Sequence, residues 1–204
     1  VKVAEPGQVL AEEEARLEAV RDALDTLGPG GRIRVDANGG WSVDEAVAAI
    51  GRLDRAAGGL EYAEQPVASV EDLALVRRRV SVPVAADESI RRAEDPYRVR
   101  ELDAADIAVL KVQPLGGVRA CLEIAERIGL HVVVSSALET SVGIAAGVAL
   151  AAALPELPYA CGLATVQLLT GDVVDDSLLP VDGALPVVRP AVEAARLDAL
   201  AAAP

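Results

Sequence analysis

The chain has no methionine and no phenylalanine, and its 204 residues include one tryptophan, three tyrosines, one histidine and two cysteines. One histidine, His131 at the start of a strand-like run, leaves no histidine pair for metal binding or acid–base work, so such chemistry falls to carboxylates, lysines and hydroxyls. Cys121 and Cys161 have neither C-x-x-C spacing nor the numbers for a disulfide framework, and read as reduced structural thiols of a cytoplasmic protein. Positive charge is also scarce. Nineteen Lys and Arg face thirty-two Asp and Glu, for a net charge of −13, which argues against nucleic acid and anionic membrane surfaces as partners and for a solvated acidic exterior. No apolar stretch has the ~20 residues of a membrane span, and the opening VKVAEPGQ does not read as a secretory signal. With no initiating methionine and a strand-like run at residues 1–4, the chain is expected to be the later part of a longer protein.

What is present is aliphatic: Ala, Val and Leu dominate, enough for one domain with a sizeable core. Strand-like segments fall at 1–4, 32–37, 60–65, 82–87, 106–112, 131–137 and 160–165, with helical patterns between them. Residues 10–27 place Leu10, Leu17, Val20, Leu24 and Leu27 at helical spacing, and Gly28-Pro29-Gly30-Gly31 ends that helix. Ser42 with Glu45 makes a capping box, and Ser69 caps the next helix. Further helices are predicted at 117–128, stopped by Gly129, at 141–153, whose small apolar residues suggest cover on most sides, and at 190–202. The strands are continuous Val/Ile/Leu/Ala runs, as in a parallel sheet buried on both faces. After Gly162 the rhythm changes: Gly171, Pro180, Gly183 and Pro186 break a tail that leaves the βα repeat. The division expected is therefore a partial barrel over 1–165 and a tail over 166–204.

Functional groups recur at the carboxyl ends of successive strands: Asp36 in RIRVDAN, Glu64 in LEYAEQP, Asp87 in VPVAADES and Lys111 in IAVLKVQP, spaced 28, 23 and 24 residues apart. That is one strand plus one helix each time, the pattern of the working rim of a (β/α)8 barrel. About seven strands are visible where a barrel needs eight, and an open doubly wound sheet is the other solution. The repeated polar strand ends, with no Gly-rich phosphate loop, favour the barrel. Three carboxylates without histidine or thiolate describe a site for a hard cation.

Counted from an absent first strand, Lys2 sits on strand two and Lys111 on strand six, opposite positions in an eight-strand ring. Such a layout suits removal of a proton next to a carboxylate, with a divalent cation stabilising the enediolate and depressing the pKa of a lysine base. Each residue also has a plainer reading. A strand-end acid caps a helix, Lys111 snorkels from an apolar strand, and Lys2 lies near a terminus. Asn38 either orders the metal shell or closes a turn. Glu88 is expected to alternate to the far face of its strand. Ser135 and Ser136 either bind substrate oxygens or cap the following helix, and Gly162 either permits close backbone approach or makes a turn.

The segments Val-Lys-Val-Ala-Glu at 1–5, Asp-Ala-Asn-Gly-Gly-Trp at 36–41, Glu-Gln-Pro at 64–66, Ala-Asp-Glu-Ser at 86–89, Lys-Val-Gln-Pro-Leu-Gly-Gly at 111–117, Ser-Ser-Ala-Leu-Glu-Thr-Ser at 135–141 and Pro-Val-Asp-Gly at 180–183 together resemble the enolase superfamily, in its muconate-lactonising-like branch. The resemblance covers essentially the whole chain. It implies an α/β fold, a (β/α)7β TIM-like barrel here lacking its N-terminal capping domain and first strand. It also implies Mg²⁺, or Mn²⁺ in its place, on Asp36, Glu64 and Asp87. Lys2 takes the role of the second lysine of a K-x-K motif, base and then acid, and Lys111 that of the opposing, charge-stabilising lysine. The activity implied is a metal-dependent syn-dehydration of a small cyclohexadiene carboxylate in menaquinone biosynthesis. Alternatives are racemisation or epimerisation of N-acylamino acids or dipeptides, and a non-catalytic fragment. The tail from 166 is expected to pack against the capping segment, and the 204-residue piece alone to be poorly folded or inactive.

Overall fold

The computed structural model describes residues 1–28 and 30–202, so Pro29 of the predicted helix stop, and the last two residues of the tail, lie outside the described residues. Two compact units divide the chain after Ala108.

The first unit alternates helix and strand: α1 (Leu10–Leu27), β1 (Ile33–Asp36), α2 (Val43–Ala56), β2 (Leu60–Glu64), α3 (Val70–Arg77), β3 (Val84–Ala86), α4 (Asp95–Glu101) and the start of β4 (Ile107–Leu110). Its strands are parallel and lie in sequence order. The register aligns Asp36 with Glu64 and Glu64 with Ala85, so the carboxyl ends of β1 and β2 are level and Asp87 follows just past β3. All residues of β3 and β4 are buried, as expected for a sheet covered on both faces. The predicted strand 1–4 is a single bridge, Lys2 to Asp36, held by Val3 N donating to Asp36 O (2.9 Å) and Asp36 N donating to Val1 O (3.0 Å).

Local chemistry explains the helix ends. Ser42 Oγ accepts from Glu45 N, and Glu45 Oε2 accepts from Ser42 N (2.9 Å), closing the capping box. Ser69 Oγ accepts from Asp72 N (3.1 Å) at the start of α3. The apolar stripe of α1 is less covered than its spacing suggests. Leu17 is buried but Leu27 is exposed, and the second buried residue of α1 is Glu13, whose Oε1 accepts from Ala4 N (2.6 Å).

The second unit contains the end of β4, α5 (Val118–Ile128), β5 (His131–Val134), α6 (Ser141–Ala153), a 3-10 turn at Thr165–Leu168 and α7 (Ala194–Ala201). Gly129, at φ +61°, ends α5 in the left-handed conformation that favours glycine. The predicted strand 160–165 reduces to a bridge between Ser135 and Gly162. Helix α6 is covered on one side only: Ile144, Gly147, Val148 and Leu150 are buried, whereas Val142 and Ala149 are exposed and line a groove walled by Val188, Pro190 and Val192. Apart from Val142, that outer face presents small alanines, each of which exposes little apolar area. In the tail, Asp182-Gly183 form a tight turn, φ +52° and +76°, closed by bonds of 2.9 and 3.0 Å between Val181 and Ala184.

Candidate active site

In the first unit, Lys2 meets the carboxyl end of β1. Its Nζ donates to Asp36 Oδ2 and to Asn38 Oδ1 (2.7 Å). Asn38, at φ +46°, donates its backbone N–H to Asp36 Oδ1 (2.9 Å) and its Nδ2 to Glu88 Oε1 (3.1 Å). Asn38 therefore closes a turn and also ties Asp36, Lys2 and Glu88 together. Glu88 is not on a far face of the strand as alternation predicted. Strand β3 stops at Ala86, so the two-residue period no longer governs positions 87 and 88. Arg91 Nη2 also donates to Glu88 Oε1 (3.1 Å), while Glu88 Oε2 is buried without a hydrogen-bond partner.

Glu64 is half-buried as the last residue of β2, and its backbone oxygen accepts from Ala37 N (3.2 Å). Asp87 is buried, its N–H donated to Gln65 Oε1 (3.0 Å). Among the described residues, no three His, Cys, Asp or Glu side chains stand as a metal-holding group. Asp36 in particular spends both oxygens on Lys2 and Asn38. The donor chemistry nevertheless suits a hard cation: the ends of β1, β2 and β3 carry oxygen donors, and Glu88 adds a buried carboxylate oxygen with no hydrogen bond.

Partial burial pulls the pKa of Lys2 down, but its bond to Asp36 and the charges of Asp36, Glu64 and Glu88 outweigh that pull, so it lies above the ordinary lysine value. The expected depression is thus not produced by the protein's own groups, which hold Lys2 charged.

In the second unit, Lys111 follows the last residue of β4. Nearby stands a residue that the strand-end pattern does not reach: Glu139, in the loop before α6. Its buried carboxylate accepts from Gln113 Nε2 (2.7 Å) and Ala137 N (3.1 Å). Burial raises the pKa of Glu139, against the opposing pull of those two donors and the charge of Lys111. In SSALETS this single acid stands between a serine pair and a helix start, with no periodic pattern to mark it. Ser136 Oγ bonds Gly162 O (3.1 Å) and Thr165 Oγ1 (2.9 Å), and Ser135 Oγ bonds Gly162 O (3.4 Å). Neither serine caps α6. A Cβ on Gly162 would lie 3.2 Å from Ser135 Oγ, tighter than ordinary contact, so glycine allows close approach here.

Residues 1–191 match the profile of the enolase C-terminal domain-like family. The chain is 70% identical over 197 residues to the o-succinylbenzoate synthase of Thermobifida fusca, covering 97% of this chain and 61% of the relative. It is 60% identical over 203 residues to the o-succinylbenzoate synthase of Mycolicibacterium smegmatis, covering 99% and 60%. The chain thus spans about 60% of the length of these curated relatives. Among solved structures, muconate lactonizing enzyme from Pseudomonas putida superposes with a TM-score of 0.83 at 27% identity, over 97% of this chain and 56% of that one. Dipeptide epimerase from Enterococcus faecalis gives 0.75 at 28%, over 87% and 51%. With its parallel α/β strands and the profile match over nearly its whole length, the chain belongs to the enolase C-terminal domain-like family.

Proposed function

We propose that the protein containing this chain is an o-succinylbenzoate synthase, a metal-dependent hydro-lyase of menaquinone biosynthesis acting in the cytoplasm. The reaction is loss of water from 2-succinyl-6-hydroxy-2,4-cyclohexadiene-1-carboxylate to give o-succinylbenzoate. The observation that carries this choice is the 70% identity to a synthase, against 27–28% to the muconate lactonizing enzyme and dipeptide epimerase structures that share the fold.

In this reading Asp36, Glu64 and Asp87 hold Mg²⁺, with Mn²⁺ as a substitute, and Glu88 adds negative charge beside them. The cation, when bound, draws charge from the substrate carboxylate and so acidifies the neighbouring C–H. Lys2 is charged while Asp36 and its neighbours press on it, and becomes a base once those carboxylates are engaged elsewhere. Its neutral amine removes the α-proton. The resulting ammonium gives that proton to the departing hydroxyl on the same face, so that water leaves and the ring becomes aromatic. Asn38 keeps the amine aimed, through its 2.7 Å bond to Nζ. Lys111 supplies fixed positive charge for the developing enediolate. Ser135, Ser136 and Gly162 shape the β5 rim, and Ser135, half-buried and less tightly bonded than the buried Ser136, is the better placed of the two serines for substrate oxygens. The tail from 166 is assigned to packing against the capping segment that the family resemblance implies.

The test is to give the purified full-length protein the cyclohexadiene carboxylate with Mg²⁺. Formation of o-succinylbenzoate, abolished by EDTA, is expected. Deuterium incorporation at the α-carbon of a dipeptide or N-acylamino acid, without dehydration, would instead make the protein an epimerase or racemase. Mg²⁺ binding with neither activity would leave a non-catalytic relative.

A further inference from the structure

We propose that Gln65 is the positioning residue that sets the cation affinity of this site, by locking the β1, β2 and β3 ends into one rigid unit. Resting on the metal reading above, the inference concerns a residue that itself supplies no ligand. Gln65 is wholly buried directly after Glu64, at φ +36°, in the left-handed region that ordinary residues avoid. Strained backbone of this kind persists only where its surroundings over-determine it, and it clusters at functional sites.

The surroundings here do over-determine it. The side-chain amide has two donor hydrogens and an oxygen with two lone pairs, and all four are used. Nε2 donates to Val67 O (2.8 Å) and Ser89 Oγ (2.8 Å), while Oε1 accepts from Asp87 N (3.0 Å) and Ser89 N (3.0 Å). This pattern also fixes which end of the amide is oxygen, because two backbone N–H groups can only be met by an acceptor. The main chain of Gln65 is equally engaged: its N–H donates to Ala85 O (2.8 Å) and its oxygen accepts from Gly39 N (2.7 Å). One residue is therefore bonded to the loop after Asp36, to β3 and to Asp87 itself, while being covalently joined to Glu64.

No other residue type at position 65 reproduces this set. Glutamate loses both donors and adds a buried charge beside Asp87, and methionine matches the length with no hydrogen bonds. Residues that orient metal ligands typically change affinity by ~10–100-fold when altered. A residue needed only for folding behaves differently: it lowers the number of competent sites and leaves the affinity of each unchanged.

The experiment titrates full-length wild type, Gln65→Met and Ser89→Ala with Mn²⁺ alone, following free Mn²⁺ by electron paramagnetic resonance. Both Kd and sites per protein are read, well below each protein's melting temperature. The expected result is a Kd about 10–100-fold weaker in Gln65→Met and several-fold weaker in Ser89→Ala, with site numbers unchanged. Unchanged Kd with fewer sites in Gln65→Met would overturn the proposal. Should Gln65→Met fail to fold, Ser89→Ala decides alone, and a wild-type Kd there overturns it. Absence of Mn²⁺ uptake by wild type would be the separate failure of the metal reading, and would take this inference with it.

Discussion

Asp172, thirty-one residues beyond the start of α6, accepts hydrogen bonds from both the backbone N–H (3.1 Å) and the hydroxyl of Ser141, the first residue of that helix. Thr140 offers α6 no side-chain cap, so a buried acid of the tail satisfies the otherwise uncapped helix end and complements its dipole. Ser141 Oγ in turn accepts from Leu178 N (2.7 Å). Burial would raise the pKa of Asp172, but the hydrogen bonds from Ser141, Ser177 and Val173 outweigh it and hold the carboxyl below its ordinary value. A depressed carboxyl stabilises the fold above its unfolded pKa, about 3.9, and that contribution is lost as pH falls through the lower folded value. Asp172→Asn is therefore expected to cost about 1–3 kcal/mol near neutral pH. In denaturant titrations over a pH series, the gap from wild type should close in acid.

Glu139 behaves in the opposite sense. Its pKa is raised by burial, so its ionised form is the disfavoured one in the folded state. A group with a raised folded pKa stabilises below its unfolded value, about 4.3, and loses that contribution as pH rises through the folded value. Glu139→Gln should raise the melting temperature at neutral pH, with Gln113 turning its amide to donate and accept in the new pair. The advantage should shrink as pH falls and wild-type Glu139 takes up its proton. Thermal melts of both proteins across the acid range check this.

Burial in α5 pushes the Cys121 thiol up to about 11. Thiolate is the reactive form, so Cys121 is expected to resist alkylation in the folded protein at mildly alkaline pH and to label fully in denaturant. Mass mapping of iodoacetamide adducts reads this directly.

Much of the scaffold was legible because local rules and tertiary packing agree. The apolar period and Gly28 place α1 at Leu10–Leu27, the bounds found; Ser42 and Ser69 start α2 and α3 as their capping chemistry predicts. Residues 141–153 are helical throughout. The outermost strand-like runs were harder to read, since a strand exists through its partner: 1–4 and 160–165 each keep one bridge. The strand-end positions of Asp36 and Glu64, and of Asp87 and Lys111 just past β3 and β4, were visible from their even spacing. Glu88, Gln65 and Glu139 were not. Glu88 lies past the end of β3, where alternation no longer applies. The role of Gln65 depends on a left-handed backbone and on bonds to residues 22–24 positions away, and Glu139 acts from a loop whose shape no periodicity encodes.

The chemistry assigned here turns on the amine of Lys2 as the group that moves the proton. The decisive measurement is the dehydration rate of full-length Lys2→Ala and Lys2→Arg against wild type, at saturating Mg²⁺. Both variants are expected to lose at least about 100-fold in kcat while binding Mn²⁺ within a few-fold of wild type, since arginine keeps the charge but cannot act as the base. Turnover near the wild-type rate in either variant would contradict that role of Lys2.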